Sequence, residues 1–558
     1  MTATRTTGRD VLRRAIAGQR RPVTLAAVLT ACHQGGEALV PVVIGVVIDQ
    51  AVAHGSVLTL LAWLAVLALL FAGLSTSYRF GARFAELAAE RAAHEIRLDV
   101  GRRVLHPGGV AQASLAGELV SIGTSDAKRV GTVNGVLPFG VAGLAGLLVA
   151  AVVLLRMSVP LGLLVLLGTP PMLYLAHLIG KPLERRSEAE QERVAHASGI
   201  ATDLVAGLRV LKGVGAERAA VERYRLTSQD SLRATLKAAR AQAWHNGALL
   251  ALTGIFIAVV ALVGGNLAAA GTISVGDLVA AVGLAQFLIT PFTIFAWVNG
   301  ELAQGRASAA RIADVLSAPP AVASGDGSLP DSPAGHVRLS GVTQGNLREL
   351  DFEARPGELL GVVVTDPAAA TDLLDCLGRG ADPSAGTVSL DAVDLSTVDT
   401  VLVRAAILVA AHDADLFAGT LEENVHIGPR AAGAMVAAAA DEVAHALPDG
   451  AATAVTERGR SLSGGQRQRV ALARALAVDA PVLVLHDPTT AVDTVTEARI
   501  ADGIAELRRD RTTILVTTSP ALLAATDRVV LLEDGRVVGE GSHTELAQRP
   551  EYRAAVLS

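Results

Sequence analysis

From Gly247 to Val275 the chain carries no charged residue. A helix needs about 20 mainly apolar residues to cross a bilayer. Six stretches meet that length, at roughly 23–52, 57–78, 132–155, 157–179, 247–270 and 277–299. Helices in the core of a soluble protein rarely run so far without a polar face. The chain is 51% apolar, and its long apolar runs fall in the first 300 positions. The sequence therefore predicts a domain of six transmembrane helices.

Lys and Arg gather on the cytoplasmic side of membrane proteins. The short links after the first, third and fifth stretches hold one such residue, Arg156. The N-terminus and the segments 79–129 and 181–245 hold the others, among them Arg79, Arg83, Arg102, Lys181 and Arg185. Both termini are expected in the cytoplasm. The two basic segments are rich in Ala, Glu and Arg and favour helix. They read as spans continuing below the membrane, turning at His106-Pro107-Gly108-Gly109 and at Gly213-Val214-Gly215. Six arginines precede residue 22, with no short apolar core and small-residue cleavage site after them. That pattern reads as a mature cytoplasmic end, not a signal peptide. Cys32, His33, Gln34 and Glu37 interrupt the first span. An ionisable group there is costly enough to make Glu37 a candidate substrate contact; otherwise the stretch faces a water-filled cavity or a partner helix. Pro138, Pro170, Pro171 and Pro291 are expected to kink their helices.

Residues 317–336 are poor in apolar side chains and rich in Pro, Gly and Ser, which marks a linker between domains at 1–316 and 337–558. Beyond it, β-like runs at Leu360–Val364, Ala406–Ala410, Val482–Leu485, Thr513–Thr517 and Arg528–Leu532 alternate with helical patterns. The alternation predicts an α/β domain with a largely parallel core sheet. The net charge of −6 favours no nucleic-acid partner. Cys32 and Cys376 are the only cysteines, so neither a disulfide framework nor a structural metal site is expected.

The most specific string is Leu462-Ser463-Gly464-Gly465-Gln466-Arg467-Gln468-Arg469, followed by Val470-Ala471-Leu472-Ala473-Arg474. It resembles the signature sequence of ABC transporter proteins. Ser463 can cap the helix that follows. Gly464 and Gly465 leave backbone N–H groups bare at a positive helix end, where a phosphate can sit. The upstream Thr456-Glu457-Arg458-Gly459 resembles the segment that contacts the coupling helices of ABC exporters. The resemblance covers the whole chain. It implies a six-span α-helical transmembrane domain joined to an α/β ATP-binding cassette with a RecA-like core and a helical subdomain.

Set against that family, the chain's own nucleotide site departs repeatedly. Where a phosphate loop Gly-x-x-x-x-Gly-Lys-Ser/Thr belongs, the residues are Val364-Thr365-Asp366-Pro367-Ala368-Ala369-Ala370-Thr371. Both glycines are missing, the lysine is Ala370, and only Thr371 remains at the position of a Mg²⁺-touching hydroxyl. No lysine follows Lys237 anywhere, so no shifted alignment rescues the loop. Asp366 and Asp372 add negative charge. The segment Asp413-Ala414-Asp415 to Asn424 matches the Q-loop region, with His412 in place of the glutamine. The Mg²⁺-linked Asp and catalytic Glu become His486 and Asp487, and the switch histidine becomes Thr518. The stretch Val342-Thr343-Gln344-Gly345 has no aromatic to stack on adenine, while Asp493 keeps the D-loop aspartate.

In this family ATP binds between two cassettes, on one phosphate loop and the facing signature. The resemblance therefore implies the degenerate subunit of a heterodimeric exporter, inactive as an ATPase alone. Ser463, Gly464, Gly465 and Gln466 would face ATP and Mg²⁺ bound mainly by a complementary half-transporter with an intact phosphate loop. The other partners would be membrane lipid and a transported drug, peptide, lipid or siderophore, in a bacterial inner membrane. A siderophore importer of the exporter fold and a non-transporting membrane pseudo-ATPase are the alternatives. His412, His486 and Asp487 would idle; binding of Zn²⁺ by them is the lesser expectation. Because the signature loop sits at an open cassette face, substitution of Gly465 is expected to spare folding.

Overall fold

The structure, a computed structural model, describes residues 6–111, 116–412, 415–426, 428 and 430–556. It divides into two compact units, Met1–Gly101 with Leu115–Ser317 and Arg102–Ser114 with Ala318–Ser558.

The first unit is helical: α1 (Gly8–Gly18), α2 (Arg20–Val47), α3 (Val57–Val104), α4 (Ala116–Ser121), α5 (Ala127–Met157), α6 (Val159–Ala206), α7 (Leu208–Val214), α8 (Glu217–Ala269), α9 (Val275–Phe287) and α10 (Ile289–Ser317). Among the described residues, six helical stretches are long and apolar enough to cross a membrane: Arg20–Val52, Val57–Val104, Gly117–Met157, Val159–Ala206, Glu217–Ala269 and Val275–Ser317. They contain the predicted spans to within two residues. Between spans without a hydrophobic drive, small residues set the approach. A Cβ added at Gly131 of α5 would lie 2.4 Å from the Ala89 carbonyl oxygen of α3.

Pro138 lies within α5, and Pro170 and Pro171 within α6, while the helical run is interrupted at Leu288, just before Pro291. A proline ring clashes with the carbonyl four residues back. For Pro291 that residue is Phe287, where α9 ends. In the second basic hairpin, Gly213 and Val214 belong to α7; the chain turns at Gly207 before it and at Gly215, with φ +67°, after it. The first turn is as expected: the Gly109 N–H donates to the His106 carbonyl at 2.8 Å, and Gly109 has φ +63°.

The second unit runs β1 (Val337–Gln344), β2 (Leu347–Ala354), β3 (Leu359–Val364), α11 (Pro367–Leu377), β4 (Ala385–Leu390), β5 (Val393–Asp394), α12 (Thr400–Ala406), β6 (Ile407–Ala410) and β7 (Gly419–Thr420). A helical stretch follows, α13 (Leu421–Val425), α14 (Ala431–Ala437) and α15 (Ala440–Ala446), then β8 (Ala454–Val455) and α16 (Gly464–Ala477). The chain closes with β9 (Val482–His486), α17 (Thr494–Leu507), β10 (Thr512–Val516), α18 (Pro520–Ala524), β11 (Arg528–Glu533), β12 (Arg536–Gly541), α19 (His543–Leu546) and α20 (Pro550–Val556).

The main sheet has the order β12-β11-β3-β10-β9-β6 and is parallel except for β12. Alternate residues serve its two faces. Val482, Val484 and Ile514 pack with Leu373 and Leu377 of α11, whereas Leu483, Leu485 and Leu515 pack with Leu472 of α16 and Ile500 of α17. An antiparallel sheet β2-β1-β4-β5 covers the α11 side; the sequence patterns did not single it out.

Residues 318–336 are not a loose tether. Arg379 is 1% exposed, and its guanidinium donates to the carbonyls of Ala323 and Ser396 and to Asp382. A rigid five-donor fork buried this deeply requires such partners. The turn 105–109 is bonded to the same segment, with the Ala321 N–H donating to Gly108 at 2.8 Å and Arg404 to Pro107 at 2.7 Å.

Candidate functional site

Ligands of open parallel sheets bind beyond the carboxyl ends of the strands. In this unit β3, β10, β9 and β6 are neighbours and parallel, so their ends share one edge. Each feeds a sequence-predicted position: β3 the phosphate-loop segment, β10 Thr518, β9 His486 and Asp487, and β6 His412. The fold brings every departed position to the same place.

The phosphate-loop position is closed by the chain's own groups. Asp366 N-caps α11, its Oδ1 accepting the Ala368 N–H at 3.0 Å. A carboxylate thus occupies an amide at the helix end to which an anionic phosphate would be drawn. Ala369 and Ala370 are 1% and 4% exposed and pack in the sheet core, so the lysine position points inward and carries no charge. The Thr371 hydroxyl donates back to the Pro367 carbonyl at 3.1 Å. Asp372 accepts the Asn346 N–H of the β1–β2 turn at 2.7 Å, which puts a second carboxylate across the mouth of the segment. One turn on, burial and then the nearby Asp372 hold the Asp375 carboxyl above its usual range. A triphosphate with Mg²⁺ requires cationic and amide donors here, and these residues do not fit it.

On the next strands, the His412 and His486 rings meet edge to face at 5.1 Å between centroids. His486 Nε2 lies 3.8 Å from Asp487 Oδ2. The three predicted residues do converge. Among the described residues, however, no group of three His, Cys, Asp or Glu side chains is arranged to hold a metal. Asp413 and Ala414 lie outside the described residues. Thr518 is exposed at the end of β10. Asp487 has φ +43°, a left-handed conformation that aspartate tolerates. Its carbonyl accepts from Gln468 Nε2 at 3.1 Å, and Gln468 also bonds Thr490 Oγ1 at 2.8 Å and the Ala491 N–H at 2.8 Å. Gln468 thus ties α16 to the loop after β9. Asp493 caps α17, and the Thr496 amide holds its carboxyl below the usual range.

The signature is built as a working helix end. Ser463 caps α16 in a reciprocal box: its Oγ accepts the Gln466 N–H at 3.3 Å while Gln466 Oε1 accepts the Ser463 N–H at 2.9 Å. The Arg467 N–H makes the first backbone bond to Ser463, so the amides of Gly464 and Gly465 precede the ladder. Ser463 and Gly464 are exposed, whereas Gly465 is half-buried against the D-loop. A Cβ at Gly465 would stand 2.5 Å from the Ala491 carbonyl oxygen, so the expectation of a harmless substitution there fails. A cleft of about 610 Å³ opens beside Gly464, lined by Arg458, Arg460 and Arg467 together with His412 and Asp415. The sequence did not mark these arginines as anion-facing groups; the nearest signal was that all three lie within five positions of Ser463.

Comparison with known proteins bears on both units. The family of the ABC transporter transmembrane region matches residues 23–292, and the ABC transporter cassette family matches residues 347–490. A multidrug efflux ATP-binding/permease protein of Mycobacterium tuberculosis is 33% identical over 85% of this chain and 40% of its own length. The chain thus spans about two-fifths of that relative. An ATP-dependent lipid A-core flippase of Psychrobacter cryohalolentis is 28% identical over 84% of the chain and 80% of its own length. A bacterial Atm1-family ABC exporter solved with ATP bound superposes with a TM-score of 0.75 at 24% identity, over 98% of this chain and all of that one. With six membrane-spanning helices and a cassette on one polypeptide, both matched by the family, the chain belongs to the ABC transporters and has the exporter fold.

Proposed function

We propose that this chain is the catalytically idle half of a two-cassette transporter. In this reading it presents Ser463, Gly464, Gly465 and Gln466 to ATP and Mg²⁺ held mainly by a complementary half-transporter with an intact phosphate loop. The observation that carries it is a contrast within one cassette: a fully capped signature helix beside a phosphate-loop position sealed by Asp366 and Ala370. A homodimer of such chains would hold two sealed sites and no engine. The mycobacterial relatives, of which this chain spans 40% and 44%, have length for two such units in one polypeptide. Pairing would give this chain the same complement. The signature amides and hydroxyl supply fixed donors whose worth is positional, complete only when two cassettes meet. Asp493, capping the next helix, and the weak remnant Thr371 are accessory. The proposed setting is a bacterial inner membrane with both termini in the cytoplasm, a reading the basic segments support for the orientation. The proposed direction is export of a drug, peptide, lipid or siderophore, the relatives being named for multidrug efflux, lipid A-core flipping and β-(1→2)glucan export.

Photo-labelling of the assembled pair with an azido-ATP tests the reading. The partner should be marked far more than this chain, and equal labelling of both would refute it.

A further inference from the structure

Glu37 is the one residue with a full charge between Arg21 and Asp49, and it has no fixed cation to face. At 1.5 Å per residue it stands about 24 Å above Arg21 and about 18 Å below Asp49, near the middle of a hydrocarbon core about 30 Å thick. The facing stretches 57–78 of α3 and 278–300 of α9 and α10 contain no Lys or Arg. A carboxylate at that depth without a Lys or Arg beside it is expensive.

The side chain nevertheless is held as a carboxylate receptor. Gln34, 5% exposed, donates from Nε2 to Glu37 Oε2 at 3.0 Å and so fixes its direction. His33 Nδ1 donates to the Leu74 carbonyl at 3.0 Å, leaving Nε2 turned toward Glu37 at 3.9 Å. His33, Glu37 and Pro41 fall on one face of α2 at helical spacing. That face lines a cavity of about 540 Å³, shared with Phe71 of α3 and with Gln286 and Phe287 of α9. The Glu37 side chain is 43% exposed, so its free oxygen opens into the cavity. The volume lies in the range of drug-sized ligand pockets, which are mostly apolar with a few placed polar groups.

We propose that this cavity binds an apolar ligand carrying a single positive charge, with Glu37 as its counter-ion and the Phe71 and Phe287 rings against its apolar body. The charge complements a carboxylate that no Lys or Arg of the cavity lining neutralises, and aromatic faces attract a desolvated cation. An anionic cargo would meet the Glu37 carboxylate and no Lys or Arg among the residues that line the cavity. The proposal deepens the transporter reading and rests on it for the ligand's role as cargo, though not for its binding.

Equilibrium binding of tetraphenylphosphonium to the purified full chain in lipid nanodiscs, without nucleotide, tests it apart from any ATPase question. The native chain should bind the cation at least fivefold more tightly than the uncharged triphenylphosphine oxide. Glu37→Gln should weaken the cation at least fivefold and leave the uncharged compound within twofold. Glutamine keeps the size and an acceptor for Gln34, and it removes a charge from mid-span, so folding is not at risk. Absence of cation binding by the native chain, a smaller loss in the variant, or equal affinity for the uncharged compound would overturn the proposal. Failure of the partner-labelling experiment alone would leave it standing.

Discussion

Two adjacent glycines of the signature should respond very differently to the same added methyl group. At Gly464 the new Cβ meets only the Ala491 Cβ, at an ordinary 3.6 Å. At Gly465 it meets the Ala491 carbonyl oxygen at 2.5 Å. That carbonyl cannot easily retreat. The Ala491 N–H is bonded to Gln468 Oε1 at 2.8 Å and the Val492 N–H to Thr489 at 2.9 Å, so the turn is held on both sides. Overpacking of this kind costs about 1–3 kcal/mol. A change away from such contacts stays within about 0.5 kcal/mol. For a folding unit of this size each kcal/mol moves the midpoint by roughly 2–4 °C. Gly465→Ala should therefore lower the cassette's midpoint by several degrees, and Gly464→Ala should leave it almost unmoved. Cys376 supplies the reporter, since it is 2% exposed and one of only two cysteines. In a Cys32→Ser background, a thiol-reactive fluorogenic dye added during heating reads the opening of this unit alone. Equal midpoints for the two variants would refute the packing argument.

Ala370→Lys by itself should confer no ATP binding and should destabilise the cassette, because position 370 is packed in the core and Asp366 still caps the helix; micromolar binding of a fluorescent ATP analogue would contradict this. Asp366→Ala should cost about 1 kcal/mol through the lost cap, read as a lower midpoint by the same dye assay. Burial pushes the Cys376 thiol up to about 12, leaving a thiolate fraction of about 10⁻⁴ at pH 8, so iodoacetamide should reach it only after unfolding; native labelling at the rate of a free cysteine would contradict the burial. In the assembled pair, Gly465→Glu should lower ATP turnover by about 10²–10³, while Asp487→Asn should change it less than twofold. The reverse order of effects would exchange the roles assigned to the two sites.

The membrane helices were legible in the sequence because a bilayer demands length and apolarity, properties that single residues report without reference to the rest of the chain. The parallel strands were legible for a similar reason: Val482–Leu485 and Arg528–Leu532 are short apolar runs covered on both faces. The sheet β2-β1-β4-β5 was less legible, since its register depends on pairs such as Val337 with Leu390, distant in sequence. The break at Leu288 was legible from Pro291, because a proline ring clashes with the carbonyl four residues before it, here that of Phe287. The span 318–336 looked like a tether by composition, yet its Ala323 carbonyl is one of the acceptors of the buried Arg379.

By itself the sequence determined the kinds of residue at each position of the site: a missing lysine at Ala370, histidines at 412 and 486, and an intact Ser463–Gln466 string. Those are chemical identities, and no folding is needed to read them. Tertiary structure decided what each group faces. It turned Ala370 into the core, set Asp366 on the helix end, pressed Gly465 against Ala491, and gathered Arg458, Arg460 and Arg467 around one cleft. It also opened the cavity toward which Glu37 points. Direction, burial and company depend on contacts between segments far apart along the chain, and the physics that fixes them is packing.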